Sequence, residues 1–164
     1  MSYTKDHLRG TMRLCTRFML DGLDSLRRAT GMDLMSSVIY LKIVDANTGL
    51  IDEVAETEGR FQAIDDMPPD ELREPISVYN IAQALGLPYE TTRRHVQMLI
   101  EEGLVRRVGG HGVIVHSEGL ARPAMLANVV GTAAYVDDFV DTIINLRSSE
   151  DEADTAEARL VVVR

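Results

Sequence analysis

Four residues, Leu85-Gly86-Leu87-Pro88, constrain this chain more than any others. Upstream, Ser77 is placed to cap a short helix containing Ile81, Ala82 and Leu85, and Gly86 stands where a left-handed residue stops it. Downstream, Pro88 suits the start of a second helix because it has no N–H to leave unpaired. Val96, Leu99 and Ile100 give that helix a buried side as far as Glu102. Two helices joined by so short a turn must cross steeply, which is helix-turn-helix geometry. Gly103 closes the second helix. Leu104–Val108 and Val113–His116 are then two β-rich runs around Gly109-Gly110-His111-Gly112, the pattern of a hairpin.

The exposed side of the second helix has the chemistry of a major-groove reader. Behind Pro88 come Tyr89, Glu90, Thr91, Arg93, Arg94 and Gln97. Arginine can read guanine bidentately, glutamine can read adenine, and threonine can meet a thymine methyl or a phosphate. Each good bidentate contact contributes about 1–3 kcal/mol of discrimination. On the hairpin, Arg106, Arg107 and His111 are placed to reach the sugar-phosphate backbone. Two readings stay open for the arginines: base contact, or solvated residues paired with Glu90 and Glu101. Glu90 suits the helix dipole better than cytosine recognition, and Tyr89 can equally pack across the turn.

Over residues 75–117, the helix, ALGLPYETTRRHVQMLIEEGLV and RRVGGHGVIV resemble the winged helix-turn-helix of bacterial transcriptional regulators. The Gly86-to-Pro88 turn and the exit through Leu99 and Gly103-Leu104-Val105 are similar to GntR- and MarR-type patterns. Long helices before and after the module are similar to the MarR-type dimer plan. The resemblance implies a homodimeric, sequence-specific regulator on double-stranded DNA. A recognition helix over about 88–102 would lie in the major groove, with a 104–116 wing on the backbone and an inverted-repeat operator. It also implies a small-molecule effector, because MarR-type proteins often bind ligands between the dimer helices and the winged module.

The flanking sequence fits that plan. Leu8, Met12, Cys15, Met19, Leu23 and Leu26 form one stripe of an amphipathic helix, with Arg9, Arg13 and Arg17 as a basic stripe beside it. The arginines suit the DNA backbone, but Asp137, Asp138 and Asp141 are the favoured partners. Leu34, Val38, Leu41 and Val44 predict a second helix ending near Asn47-Thr48-Gly49. Residues 52–74 read as an acidic surface connection with at most one helical turn, because Pro68 and Pro69 interrupt it. From Leu120 to Ile144 the apolar residues predict a long helix that needs cover on more than one side. Two helices this long cannot both be covered by one small domain, which favours a dimer.

The expected fold is therefore mainly α with a small β-hairpin wing: a winged helix-turn-helix flanked by long N- and C-terminal dimerisation helices. Its divisions are 1–74, the N-terminal helices and acidic connection; 75–117, the winged module; 118–147, the C-terminal dimerisation helix; and 148–164, an acidic tail. The net charge of −9 over 164 residues lowers the odds of nucleic-acid binding, but the acid is segregated. Residues 33–74 hold 11 acidic against 3 basic side chains, whereas residues 75–122 hold 4 against 5. That near-neutral balance also supports an alternative, a protein–protein interaction module that binds no DNA.

Other classes find little support. One Cys excludes an internal disulfide, and Cys15 on the apolar stripe reads as a small buried hydrophobe. His7, His95, His111 and His116 lack zinc-ligand spacing, and no nucleophile arrangement or carboxylate pair suggests a catalytic cleft. No enzyme, metal or cofactor is expected. No apolar run reaches the roughly 18 residues of a membrane span and no leader-like stretch opens the chain, so the expectation is cytoplasmic with no membrane partner.

Overall fold

The computed structural model describes residues 8–61, 63–110 and 112–161, with side chains as far as residue 145 apart from 56 and 57. In chain order the elements are α1 (Leu8–Thr30), α2 (Leu34–Asn47), α3 (Gly49–Glu58), a 3-10 turn at Asp70–Leu72, β1 (Ile76–Ser77), α4 (Val78–Leu85), α5 (Tyr89–Glu101), β2 (Val105–Val108), β3 (Gly112–Val115), α6 (Ser117–Leu120) and α7 (Pro123–Val161). The architecture is mostly helical with a small antiparallel sheet, a winged helix-turn-helix flanked by helices.

Two compact units divide the chain, Leu23–Val129 and the two terminal stretches up to Gly22 and from Val130. The Leu23–Val129 unit is built around α2, whose Ile39, Tyr40 and Ile43 are fully enclosed by Ile81, Val96, Leu99, Val105, Val113 and Val115. Its sheet has the order β1-β3-β2, so the hairpin gains a third strand that the sequence pattern does not reveal. Two residues of strand are too short to establish an alternation.

The other differences from expectation have physical causes. Leu34 and Leu41 of the expected stripe are exposed, and the buried side of α2 is instead Ser36, Ser37, Ile39, Tyr40, Ile43 and Asn47. This helix is apolar around most of its circumference, so periodicity alone leaves its inward face undetermined. The Ser37 hydroxyl donates to the Asp33 carbonyl at 2.9 Å, and Asp33 caps the helix by accepting from the Ser36 N–H at 2.8 Å, whereas the buried Tyr40 hydroxyl has no hydrogen-bond partner among the described residues. The acidic connection is also more ordered than its composition suggests. It opens with the ten-residue α3, which ends at Gly59 before either proline.

In the terminal unit, α1 and α7 run antiparallel, with the Phe18 and Phe139 ring centroids 5.0 Å apart. α7 is continuous as far as Val161, so the helix runs past residue 147, where it was expected to give way to the acidic tail of 148–164. Among the described residues, no ion pair joins Arg9, Arg13 or Arg17 to Asp137, Asp138 or Asp141. At about 100° per residue, Arg9 lies opposite Phe18 on α1, and Asp137 and Asp141 lie opposite Phe139 on α7. Those three charges point away from the contact between the helices, whereas Arg13 and Arg17 lie beside Thr142 of α7.

Candidate nucleic-acid interface

Local chemistry sets the angle of the recognition helix. The Ser77 hydroxyl accepts from the Asn80 N–H at 3.1 Å and starts α4. Gly86 stops it with φ at 65°, a left-handed conformation that costs glycine no Cβ clash. The Leu87 N–H reaches back to the Ala82 carbonyl at 2.9 Å, which fixes the turn. Pro88 is the N-cap of α5 rather than its first helical residue, and its carbonyl accepts from the Thr92 N–H at 3.0 Å and the Thr92 hydroxyl at 3.2 Å. Thr92, His95, Val96 and Leu99 point inward. Pro88, Tyr89, Glu90, Arg93 and Arg94 are exposed, and Thr91 and Gln97 are half-buried.

The exposed groups are not equally available. Glu90 grips Arg93 through both carboxylate oxygens, with Nε at 2.9 and 3.0 Å. The Arg93 hydrogen bond holds the Glu90 carboxyl below its ordinary range, and the same bond raises Arg93. Arg94 has no such partner among the described residues. Gln97 donates to Glu101 at 3.1 Å and accepts from Arg107 Nη2 at 3.4 Å, which links the helix to the wing.

Arg106 and Arg107 are separated by strand geometry. Successive side chains of a strand point to opposite faces, so the two arginines cannot share one surface. Arg107, opposite Val113 in the ladder, lies on the recognition-helix side. Arg106 turns the other way, and its Nε donates to Asp70 Oδ2 at 2.9 Å. Of the two wing arginines, Arg107 therefore shares a side with the recognition helix, whereas Asp70 holds Arg106 on the other face of the hairpin. His111 lies outside the described residues.

Three buried polar centres hold this surface, and the motif-based reading overlooks all of them. Asp70 accepts from Arg106, from Arg73 Nε at 3.2 Å and from the Ser117 N–H at 3.2 Å, joining the 3-10 turn, the wing and α6. Burial pushes its carboxyl upward, but these three hydrogen bonds outweigh that and hold it below the ordinary carboxylate value. Asn47 is fully buried; its amide donates to the Glu74 carbonyl at 2.6 Å and accepts from the Val115 N–H at 2.7 Å. Continuing the Ile76↔Val113 register outward would set Glu74 opposite Val115, so the Asn47 amide is spliced into the ladder where β1 and β3 separate. His95 Nδ1 lies 2.9 Å from the Ser36 hydroxyl, tying the recognition helix to α2. Apart from Arg73, three residues from Asp70, these partners are 27 to 68 residues apart in sequence, beyond the reach of any spacing rule.

Burial also pushes the Tyr40 hydroxyl up to about 12, against the field of Arg73 and Arg122. Among the described residues, no three His, Cys, Asp or Glu side chains converge as a metal site, and no single helix is long and apolar enough to cross a membrane.

Residues 70–109 match the family model of the IclR helix-turn-helix domain. That span runs from the Asp70 hub through α5 and β2. It supports a DNA-binding transcription regulator built on a winged helix-turn-helix, and it does not single out the MarR or GntR type. The residues behind those resemblances, Gly86 and Gly103, both adopt positive φ. They report the geometry of a turn and a helix end, which different winged-helix families need alike. None of the curated proteins and none of the solved structures compared with the chain matches it.

Proposed function

We propose that the protein is a homodimeric, sequence-specific DNA-binding transcription regulator, cytoplasmic and without enzymatic activity, that reads an inverted-repeat operator. The observation that carries this reading is the convergence of Arg94, Gln97 and Arg107 on one edge of a helix-turn-helix. Asp70 neutralises Arg106 on the opposite face. Arg94, Gln97 and Thr91 are the candidate base readers, while Arg107 and the start of α5 supply backbone contacts. Glu90 holds Arg93 beside them, so the contact set is smaller than the sequence suggests.

Self-association is supported by the terminal unit. Met12 and Met19 are 60% and 56% exposed, and Val136 and Val140 are 40% and 45% exposed. Each set is rotated roughly a sixth to a third of a turn, in the same sense, from the Phe18–Phe139 contact. In an antiparallel pair these offsets fall on one side, giving a continuous apolar face suited to a second copy. The MarR-like dimer plan is the arrangement we favour, with half-sites about one helical turn, or roughly 34 Å, apart.

Selection of bound duplexes from a random pool, followed by titration at several salt concentrations, tests this function. Arg94→Ala is expected to relax sequence preference at one position by about 1–3 kcal/mol. Arg107→Ala is expected to weaken all sequences alike and reduce the salt slope by about 1. Absence of salt-sensitive binding would favour the protein-interaction module instead.

A further inference from the structure

An open groove of about 570 Å³ lies within the Leu23–Val129 unit, behind the recognition helix. Met35 and Val38 of α2 form one wall, Leu85 and Leu87 of the helix-turn-helix turn form the other, and Asp33 and His95 stand among them. Its size falls within the roughly 300–1,000 Å³ of small-molecule sites, and its lining is almost wholly apolar with a few polar groups, as such sites require. At its edge Leu34 is 55% exposed, although it opens a helix whose other side is the protein core.

The polar groups define what fits. The Asp33 carboxylate accepts from the Ser36 N–H, and its side chain remains 57% exposed, within reach of a ligand. His95 is fixed through Nδ1 by Ser36, and that nitrogen lies 3.7 Å from the same carboxylate. Among the described residues, no lysine or arginine lines the groove. An anionic ligand would find neither lysine nor arginine here, whereas a cation would find a carboxylate.

We propose that this groove binds a small organic amine, its apolar body against Met35, Val38, Leu85 and Leu87 and its ammonium group beside Asp33. The site touches α5 through His95 and the turn through Leu85 and Leu87, the two places that set the recognition helix on its support. An effect of occupancy on DNA affinity rests on the DNA-binding reading; occupancy itself does not.

The test is a titration of the full chain, without DNA, by heteronuclear NMR with 4-phenylbutylamine and its matched alcohol and carboxylate, 4-phenylbutanol and 4-phenylbutyrate. Saturable shifts are expected at Val38, Leu85, Leu87 and His95. The dissociation constant should be on the order of millimolar, as suits a probe of about 11 non-hydrogen atoms. The amine should bind about fivefold more tightly than the alcohol, and the carboxylate most weakly. Asp33→Asn keeps a good N-cap while removing the charge, and should equalise amine and alcohol with shifts at the same residues. Shifts elsewhere, no saturation, a carboxylate as tight as the amine, or groove signals that move with protein concentration alone would each overturn the proposal. The last result would mean that a second copy covers the groove. Failure here leaves the DNA reading standing, and failure of DNA binding leaves the amine site standing.

Discussion

Replacing Asn47 by alanine tests how the sheet is fastened to the central helix. The substitution removes a 2.6 Å bond to the Glu74 carbonyl and a 2.7 Å bond from the Val115 N–H at a side chain with no exposure. The Val115 N–H then lies buried without a partner, at about 1–3 kcal/mol, while the part-buried Glu74 carbonyl can turn to water at a smaller cost. The expected loss is about 1–4 kcal/mol, a large part of the roughly 5–15 kcal/mol that holds a domain of this kind. With a urea dependence of about 1–3 kcal/mol per molar, the unfolding midpoint should fall by on the order of 1–2 M. Far-ultraviolet circular dichroism reads the midpoint, and hydrogen exchange reads the Val115 amide directly. That amide should lose protection well before the interior of α2, because its acceptor is the deleted side chain. A midpoint within about 0.3 M of the parent at unchanged slope, with Val115 still protected, would refute the reasoning, since it would show that the ladder closes without the inserted amide.

Three further outcomes follow from particular contacts. Glu90→Gln should free the Arg93 guanidinium and remove one negative charge from the DNA-facing edge, so affinity for any duplex at low salt should rise several-fold in a gel-shift titration. Weaker binding would show that Glu90 positions Arg93 for recognition. Asp70 has a folded-state value below its ordinary 3.8, so its stabilising effect is present above that value and lost as pH falls through the lower folded value. Asp70→Asn should therefore lower stability at neutral pH and flatten the acid side of the stability profile; an unchanged acid slope would contradict the hub. Met12→Asp combined with Val136→Asp should convert a dimer to a monomer in sedimentation equilibrium, and a parent chain already monomeric at about 100 μM would remove the apolar-face argument.

The helix-turn-helix was legible because its determinants act over a few residues. Ser77 caps, Gly86 turns left-handed, Pro88 initiates and Gly103 terminates, and each does so with its immediate neighbours. The site was less legible. Counting basic residues on the wing treated Arg106 and Arg107 as equivalent, although the period-two geometry of a strand was enough to separate them. The Arg93–Glu90 pair was foreseeable from three-residue spacing on a helix, and the structure adopts it. α3 was obscured by an acidic composition that resembles a linker, and the expected Arg9–Asp137 type of pairing failed because complementary charge says nothing about direction.

From the sequence alone came the helices, their stops, the crossing turn and the hairpin, because capping, left-handed glycine and hydrophobic period are energies of neighbouring residues. The tertiary structure alone decided which side of α2 faces inward, where Asn47 finds its partners, and that Asp70 takes Arg106 of the wing. Those outcomes depend on register and burial between segments far apart in the chain, where an apolar helix or an isolated carboxylate has several acceptable partners until packing selects one.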